Sequence, residues 1–372
     1  MRAAGLRALL AGGISTLLSF YNASSGYFGL DAPPSYWPFW HTGNSLETLA
    51  LAHLLTGDAR VPAVLANSFS KVRRDYVTPY AGNDDIQWHA HAWLRAYEAT
   101  GEPAYLREVE TIYGPDMLLG ETWRVWNFTC AGANWAENAP YVNTITTSLF
   151  ASGMSSLART TRSDAPIVFN RSAAQWAAAA WAWGTQPGLQ VSAGGPFLDG
   201  MDTHNCSLPV GEVWTYNSAH WLDAGTSLSA LFGSPAYAAR SAALLRGAAA
   251  YFGGAGGVME ERSCGGAGGW CPQSDGRMFK GVFARHAAWA LRDWRAEAPG
   301  AAAAAWACTN AASLDANGTQ WRGAALPLWG QLWQGPYAAD DTPWVAHSAG
   351  LDVMLAALAG EVWAGAACEH FA

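Results

Sequence analysis

Apolar residues recur at helical spacing in segment after segment of this chain. In order, the pattern predicts helices over Leu6–Tyr21, Asn44–Leu55, Arg60–Val72, Asp84–Ala99 and Tyr105–Ile112. It predicts seven more near 142–160, 165–183, 214–231, 235–252, 278–296, 301–313 and 344–359. The stretches Leu55-Thr56-Gly57-Asp58, Ala99-Thr100-Gly101-Glu102 and Leu231-Phe232-Gly233-Ser234 each end one helix and open the next. Glycine there supplies a left-handed C-cap, and Asp, Ser or Pro begins the following helix. Thr161-Arg162-Ser163-Asp164 plays the same part without glycine.

Loop lengths turn this list into an architecture. Connections near 56–60, 99–103, 160–165, 231–235 and 296–300 are short, whereas those near 22–43, 74–83, 113–141, 184–213, 253–277 and 314–343 are long. Such alternation is what a ring of helical hairpins gives, with tight turns at one end and elaborated loops at the other. The expected fold is all-α, an (α/α)6 barrel of twelve helices in six hairpins, forming one domain over residues 1–372. An open helical solenoid is the rival, though its repeats are normally more uniform. Elaborated loops on a rigid scaffold are where sites are usually built. The residues at the six long-loop helix starts are therefore the candidates for binding: Asn44, Trp88, Trp135, Asn143, Trp214, Tyr216, Asn217, Phe279, Lys280 and Asp341.

Composition narrows what such a mouth binds. The 372 residues include 21 tryptophans, and 51% are hydrophobic against 13% charged. That supplies a large core and leaves flat aromatic platforms for C–H faces such as those of sugars. A net charge of −8 argues against nucleic acid, an anionic membrane or a polyuronate as partner. Six cysteines, with Cys264 and Cys271 the pair most easily joined and the others open to being free core thiols, fit no zinc spacing. Sequons at Asn22, Asn127, Asn170, Asn205 and Asn317 add weight to a secretory route. The first segment reads as a helix of the mature fold rather than a signal peptide, and no stretch reads as long and apolar enough to span a bilayer. No cofactor is expected. His89 and His91, two apart on a helix, face different ways and make a poor metal pair.

The chemistry centres on Gly82-Asn83-Asp84-Asp85-Ile86-Gln87-Trp88, where two adjacent carboxylates open a helix. One reading is an N-cap with first-turn acids favoured by the helix dipole. The other is catalytic, since diverging neighbours on a helix start can approach the roughly 5–5.5 Å carboxyl gap of retaining glycosidases. Asp340-Asp341 is a second acidic pair, and the capping reading suits it better.

These motifs resemble glycoside hydrolase family 76, the endo-α-1,6-mannanases and related fungal cell-wall proteins, nearly from end to end. Asn83-Asp84-Asp85 with Trp88, Ala92-Trp93-Leu94-Arg95-Ala96-Tyr97 and Thr100-Gly101 is the most specific match. Tyr21-Asn22 with Gly26-Tyr27, Cys130 with Gly132 and Trp135, Tyr141 with Asn143 and Ile145, Thr215-Tyr216-Asn217, and Phe279-Lys280-Gly281-Val282-Phe283 with Arg285 are similar to further motifs. The resemblance implies an (α/α)6 barrel and retaining hydrolysis of α-1,6-mannan, with Asp84 as nucleophile and Asp85 as general acid/base. It also implies an α-mannan or mannose-bearing glycan as partner and a secreted or cell-wall location; we expect a monomer. The chain departs from the pattern at His89, at Ala131-Gly132-Ala133-Asn134, at Thr147-Ser148 and at Ser218-Ala219, which bears on subsite shape. A cell-wall transglycosylase and a non-catalytic mannan-binding relative are the alternatives.

Overall fold

A computed structural model describes residues 4–29, 39–73, 82–120, 125–136, 139, 141–206, 209–295, 297–323 and 326–371. Among them are twelve α-helices: α1 (Ala4–Leu18), α2 (Phe39–Thr56), α3 (Val61–Val72), α4 (Asn83–Thr100), α5 (Pro103–Ile112), α6 (Thr144–Thr161), α7 (Ala173–Trp183), α8 (His220–Phe232), α9 (Pro235–Phe252), α10 (Ser274–Trp294), α11 (Ala298–Asn317) and α12 (Pro343–Ala364). Every predicted helix is present, and the strands are short pairs in the connections. Pro33, Pro34 and Trp37 of the first aromatic loop lie outside the described residues.

The short connections close as their residues dictate. Gly57, Gly101 and Gly233 take left-handed φ values of 73°, 75° and 63°, and Arg162 takes 52° without glycine's freedom. Pro103 opens α5 behind Glu102, whose side chain accepts the Ala104 N–H at 3.0 Å. Two helices start later than their apolar patterns suggest, and α8, expected from 214, begins only at His220 behind a short 3-10 turn over Tyr216–Ser218. The segment expected to begin at 165 becomes helical only at Ala173, because Pro166 removes a donor and Phe169 and Asn170 adopt φ of 53° and 55°. Ile167 and Arg171 instead close a tight turn, the Ile167 N–H donating to the Arg171 carbonyl at 2.9 Å.

The chain divides into two compact units, one of Met1–Val72 with Ala248–Ala372 and the other of Arg73–Gly247. In the first, α12 is the core helix. It lies so close to α10 that a Cβ on Gly281 would stand 2.4 Å from the Ala349 Cα. Contrary to the sequence expectation, α12 is long and apolar enough to cross a membrane by length and composition. It is almost wholly buried in the fold, so its apolar faces are already covered by protein. Beside it lies a wholly buried charge cluster. Arg285 Nε is 3.2 Å from a Glu47 carboxylate oxygen and its Nη1 is 2.7 Å from Asp352, with Trp289 and Thr48 donating to the same two carboxylates at 3.1 and 2.7 Å.

In the second unit, α6 is buried along nearly its whole length, and its serines and threonines return many of their hydroxyl protons to the helix's own carbonyls. Arg95 of α4 meets Asp223 of α8 at 2.5 Å, and Ser152 of α6 donates to the same carboxylate at 3.0 Å. Disulfides Cys130–Cys206 in this unit, and Cys264–Cys271 and Cys308–Cys368 in the other, leave no cysteine free among the described residues. The pair expected from proximity is formed. The other four are bridged rather than free core thiols, because chain distant in sequence is brought together at those ends.

Candidate active site

Asp84 and Asp85 stand in the first turn of α4. Gly82 precedes the helix in an extended conformation, and its missing Cβ is required: one built there would lie 2.4 Å from Asp84 Oδ1 and 3.2 Å from Trp135 Nε1. Asn83 fastens the helix start to the neighbouring loop, its N–H donating to the Trp135 carbonyl at 2.7 Å and its Nδ2 to the Asn134 carbonyl at 2.9 Å. Asp85 reaches back to accept the Gly82 N–H at 2.7 Å, which is the acidic half of a capping box. Asp84 accepts the Asp85 N–H at 3.1 Å. The capping reading and the catalytic reading thus describe the same atoms, with Asp85 buried and Asp84 partly open.

Burial is the main cause that raises the Asp84 carboxyl well above the ordinary range, and the Asp85 charge adds to it. The two N–H donors, its own and that of Asp85, pull the other way, and a third carboxylate, Asp199, pushes it further up. A helix start favours anions, but here it does not outweigh the loss of water.

Sequence reasoning did not single out Asp199. It follows the 189–198 connection and precedes strand Gly200–Asp202, which pairs antiparallel with Tyr141–Asn143. Its Oδ2 accepts the Tyr141 hydroxyl at 2.5 Å and its Oδ1 the Asn217 Nδ2 at 3.0 Å. Burial raises Asp199, against the Asn217 and Tyr141 hydrogen bonds, and burial together with Asp199 raises Tyr141. No helix start marks Asp199, so periodicity carries no signal for it. Tyr141 and Asn217, both in the recognisable motifs, are the indirect clue.

The other predicted residues of this unit divide by exposure. Trp135 is 42% exposed. Trp88 is only 2% exposed, stacked on Tyr216 with ring centroids 6.4 Å apart and tilted against His220 at 5.1 Å. Tyr216 and Trp214 are half-buried. Asn143 caps α6, accepting the Thr146 N–H at 2.9 Å, and Asn217 is committed to Asp199. His91 places Nε2 at 2.9 Å from the Leu149 carbonyl, and the His89 ring lies 6.2 Å from that of Trp93.

The remaining four are in the other unit and are described with it. Asn44 is buried, its Nδ2 donating to the Trp40 carbonyl at 3.1 Å and its Oδ1 accepting from Arg285. Phe279 lies 6.1 Å from Trp40, ring to ring. Lys280 donates to the Gln331 carbonyl at 2.7 Å over the Trp333 ring; burial lowers its ammonium to about 8, against the charges of Glu261 and Glu260. Asp341 is exposed and paired with Arg277, while Asp340 accepts the Thr342 N–H at 2.9 Å before α12. A residue the sequence did not flag here is Asp275, half-exposed at 3.1 Å from His41 Nε2 and accepting from Trp40 Nε1 at 3.2 Å. Burial pushes Asp275 up, but the His41, Trp40 and Ser274 contacts outweigh it and leave the carboxyl below its ordinary value.

A carboxyl raised well above its ordinary range beside a second carboxylate is an arrangement suited to general acid/base work. Solved structures share the fold. An α-1,6-mannanase, GH76A of Salegentibacter sp. HEL1_6, was solved with α-1,6-mannotetrose as a variant inactive through alanines at two consecutive aspartates. It is 19% identical, with a TM-score of 0.76 over 95% of this chain and 98% of that one. Dfg5 from Chaetomium thermophilum, in complex with glucosamine, is 21% identical with a TM-score of 0.76 over 97% and 92%. A family 76 mannosidase of Bacteroides thetaiotaomicron is 15% identical with a TM-score of 0.66 over 96% and 98%. These likenesses show the fold, the (α/α)6 barrel expected from the loop lengths. No curated protein matches the chain. The family model of glycosyl hydrolase family 76 matches residues 11–361, and with the helices, the caps and the paired aspartates in place, the chain belongs to that family.

Proposed function

We propose that the chain is a retaining glycosidase that cleaves α-1,6-mannosidic linkages, and that Asp84 and Asp85 carry the chemistry. The observation that carries this reading is the pair itself: adjacent carboxylates in the first turn of one helix, with Asp84 raised by burial and by the Asp85 charge. The Salegentibacter enzyme, inactive without two consecutive aspartates and bound to an α-1,6-linked mannose chain, supports the same residues and linkage here.

In this mechanism Asp84 attacks the anomeric carbon while Asp85 protonates the departing glycosidic oxygen, and a covalent mannosyl ester forms on Asp84. Asp85, now ionised, takes a proton from water, which displaces Asp84 and releases mannose of unchanged anomeric configuration. Asp199, held by Tyr141 and Asn217, is placed to accept hydroxyls of the bound sugar and to keep the local charge high. Trp135 supplies the exposed ring for stacking. The raised Asp84 carboxyl favours a second assignment in which the roles are exchanged and Asp84 brings the proton. Azide rescue separates the two assignments, since a small anion restores turnover, with inverted product, only when the nucleophile has been removed.

The likeness to Dfg5 favours a related reading with the same first half-reaction, in which a sugar hydroxyl rather than water resolves the ester. Adding an acceptor sugar and looking for lengthened products distinguishes transfer from hydrolysis. Action outside the cell or in the cell wall, as a monomer on a mannose-bearing glycan, completes the proposal, and three closed disulfides support an oxidising location. The decisive experiment digests an α-1,6-mannan oligosaccharide with the wild type and Asp84→Asn and follows the first-formed product. Unchanged turnover by Asp84→Asn overturns the assignment.

A further inference from the structure

Two large aromatic side chains that touch each other lie open on the Arg73–Gly247 unit. Phe128 is 61% exposed and Phe169 58%, and their rings meet edge to face at 5.2 Å. Single exposed apolar residues need no explanation, whereas two large rings in contact form a continuous apolar patch on the surface. Both are displayed by built turns. Phe128 follows Asn127, whose Oδ1 accepts the N–H groups of Thr129 at 3.0 Å and Cys130 at 2.8 Å, and Cys130 is anchored to Cys206. Phe169 is held at φ 53° on the tip closed by Ile167 and Arg171. Beneath the pair, Trp176 is wholly buried, with the Arg171 guanidinium stacked 4.9 Å above its ring. A β-carbon-bearing residue in a left-handed turn costs free energy, so this display is maintained against a local preference.

What lies next to the patch in sequence identifies its cover. Phe169 is followed by the sequon Asn170-Arg171-Ser172, and Phe128 sits inside the sequon Asn127-Phe128-Thr129. The two asparagines differ. Asn127 is half-buried, with Nδ2 donating to Asn134 Oδ1 at 3.1 Å. Asn170 is exposed at φ 55°, the conformation asparagine tolerates best after glycine, and its side chain is engaged by no group among the described residues. We propose that Asn170 carries an N-linked glycan whose first sugar rings rest on the Phe169–Phe128 pair. The bond forms between Asn170 Nδ2 and C1 of the sugar delivered by a lipid-pyrophosphate-linked oligosaccharide. The C1–O bond to that donor breaks, the lipid pyrophosphate leaves, and Nδ2 gives up one proton. Sugar C–H faces against aromatic rings then replace water over the patch. The inference rests on passage through a secretory route and is independent of the reaction at Asp84.

The test uses the full chain secreted from eukaryotic cells. Glycopeptide mapping is expected to find Asn170 occupied and Asn127 vacant. Trimming the glycan to its first sugar leaves the melting temperature unchanged. Asn170→Gln lowers it by about 1–2 °C and increases binding of an apolar dye. In Phe169→Ala, and independently in Phe128→Ser, the Asn170→Gln shift disappears, whereas Asn317→Gln behaves alike in every background. A vacant Asn170, or an Asn170→Gln shift of equal size with and without Phe169, overturns the proposal. So does a free mannan oligosaccharide that raises the melting temperature of Asn170→Gln but needs Phe169 to do so, because the patch would then serve a soluble chain.

Discussion

Each unit of the molecule holds a pair of neighbouring carboxylates, and the two pairs are treated oppositely. In the unit that includes α2, α10 and α12, Glu47 and Asp352 share the Arg285 guanidinium and take further donors from Trp289 and Thr48. In the unit that includes α4, Asp84 has for neighbours two backbone N–H groups and two more carboxylates, Asp85 and Asp199. A buried pair with its counter-charge is a structural device, costly to break and of uncertain net value. A carboxyl raised by burial and by like charge stores a proton where chemistry can use it. Even with Arg285 beside it, burial lifts Asp352 to about 7, which shows how strongly exclusion of water acts at such places.

The largest effect that sharpens this contrast is catalytic. Asp84→Asn and Asp85→Asn are each expected to lower kcat on an α-1,6-mannan oligosaccharide by about 10⁴-fold or more, measured by reducing-end release. Circular dichroism should find both variants folded, because an asparagine amide oxygen can still accept the Gly82 and Asp85 N–H groups. The opposite holds for the structural pair. Arg285→Met leaves Glu47 and Asp352 without their cation and is expected to cost about 3–5 kcal/mol, read as a lowered urea midpoint. An Arg285→Met protein as stable as the wild type would break the comparison.

Titration gives the next test. The folded Asp84 carboxyl holds its proton more tightly than the unfolded chain does, so the native state binds more protons between the ordinary carboxylate value and the raised one. Its contribution to stability is therefore most favourable at low pH and is lost as pH rises through the raised value. Melting temperatures of the wild type and Asp84→Asn should accordingly diverge with rising pH, in favour of the variant. The same charges set the pH–rate profile. Asp199→Asn removes a negative charge that pushes Asp84 up, so the acid limb of kcat/KM, below which the nucleophile is protonated, should move toward lower pH. An unmoved limb would detach Asp199 from the pair. Smallest is Trp135→Ala, expected to raise KM about tenfold, or ~1.4 kcal/mol, with kcat nearly kept.

Much of this was legible in the chain, and what was not has physical reasons. Helices and their stops were visible because 3.6-residue periodicity and left-handed glycines at 57, 101 and 233 are local properties. The later start of α7 was missed because Phe169 and Asn170 break a pattern whose apolar positions continue through them. Asp84 and Asp85 were marked by their place at a helix start. Asp199 was not, since it gains its role from Tyr141 and Asn217, distant in sequence. Asn44 and Lys280 share the helix-start signal, yet the structure commits them to Arg285 and to the Gln331 carbonyl. Position along a chain identifies who stands at a helix start; only packing decides whether a side chain is left available. Trp88 makes the same point, buried where Trp135 is open.

One measurement bears most directly on the central claim that Asp84 and Asp85 form a double-displacement pair. The first product released from an α-1,6-mannan oligosaccharide is followed by proton NMR before it mutarotates. The account predicts the α anomer from the wild type and no product from Asp84→Asn. A β anomer appearing first, or undiminished release by Asp84→Asn, would contradict it.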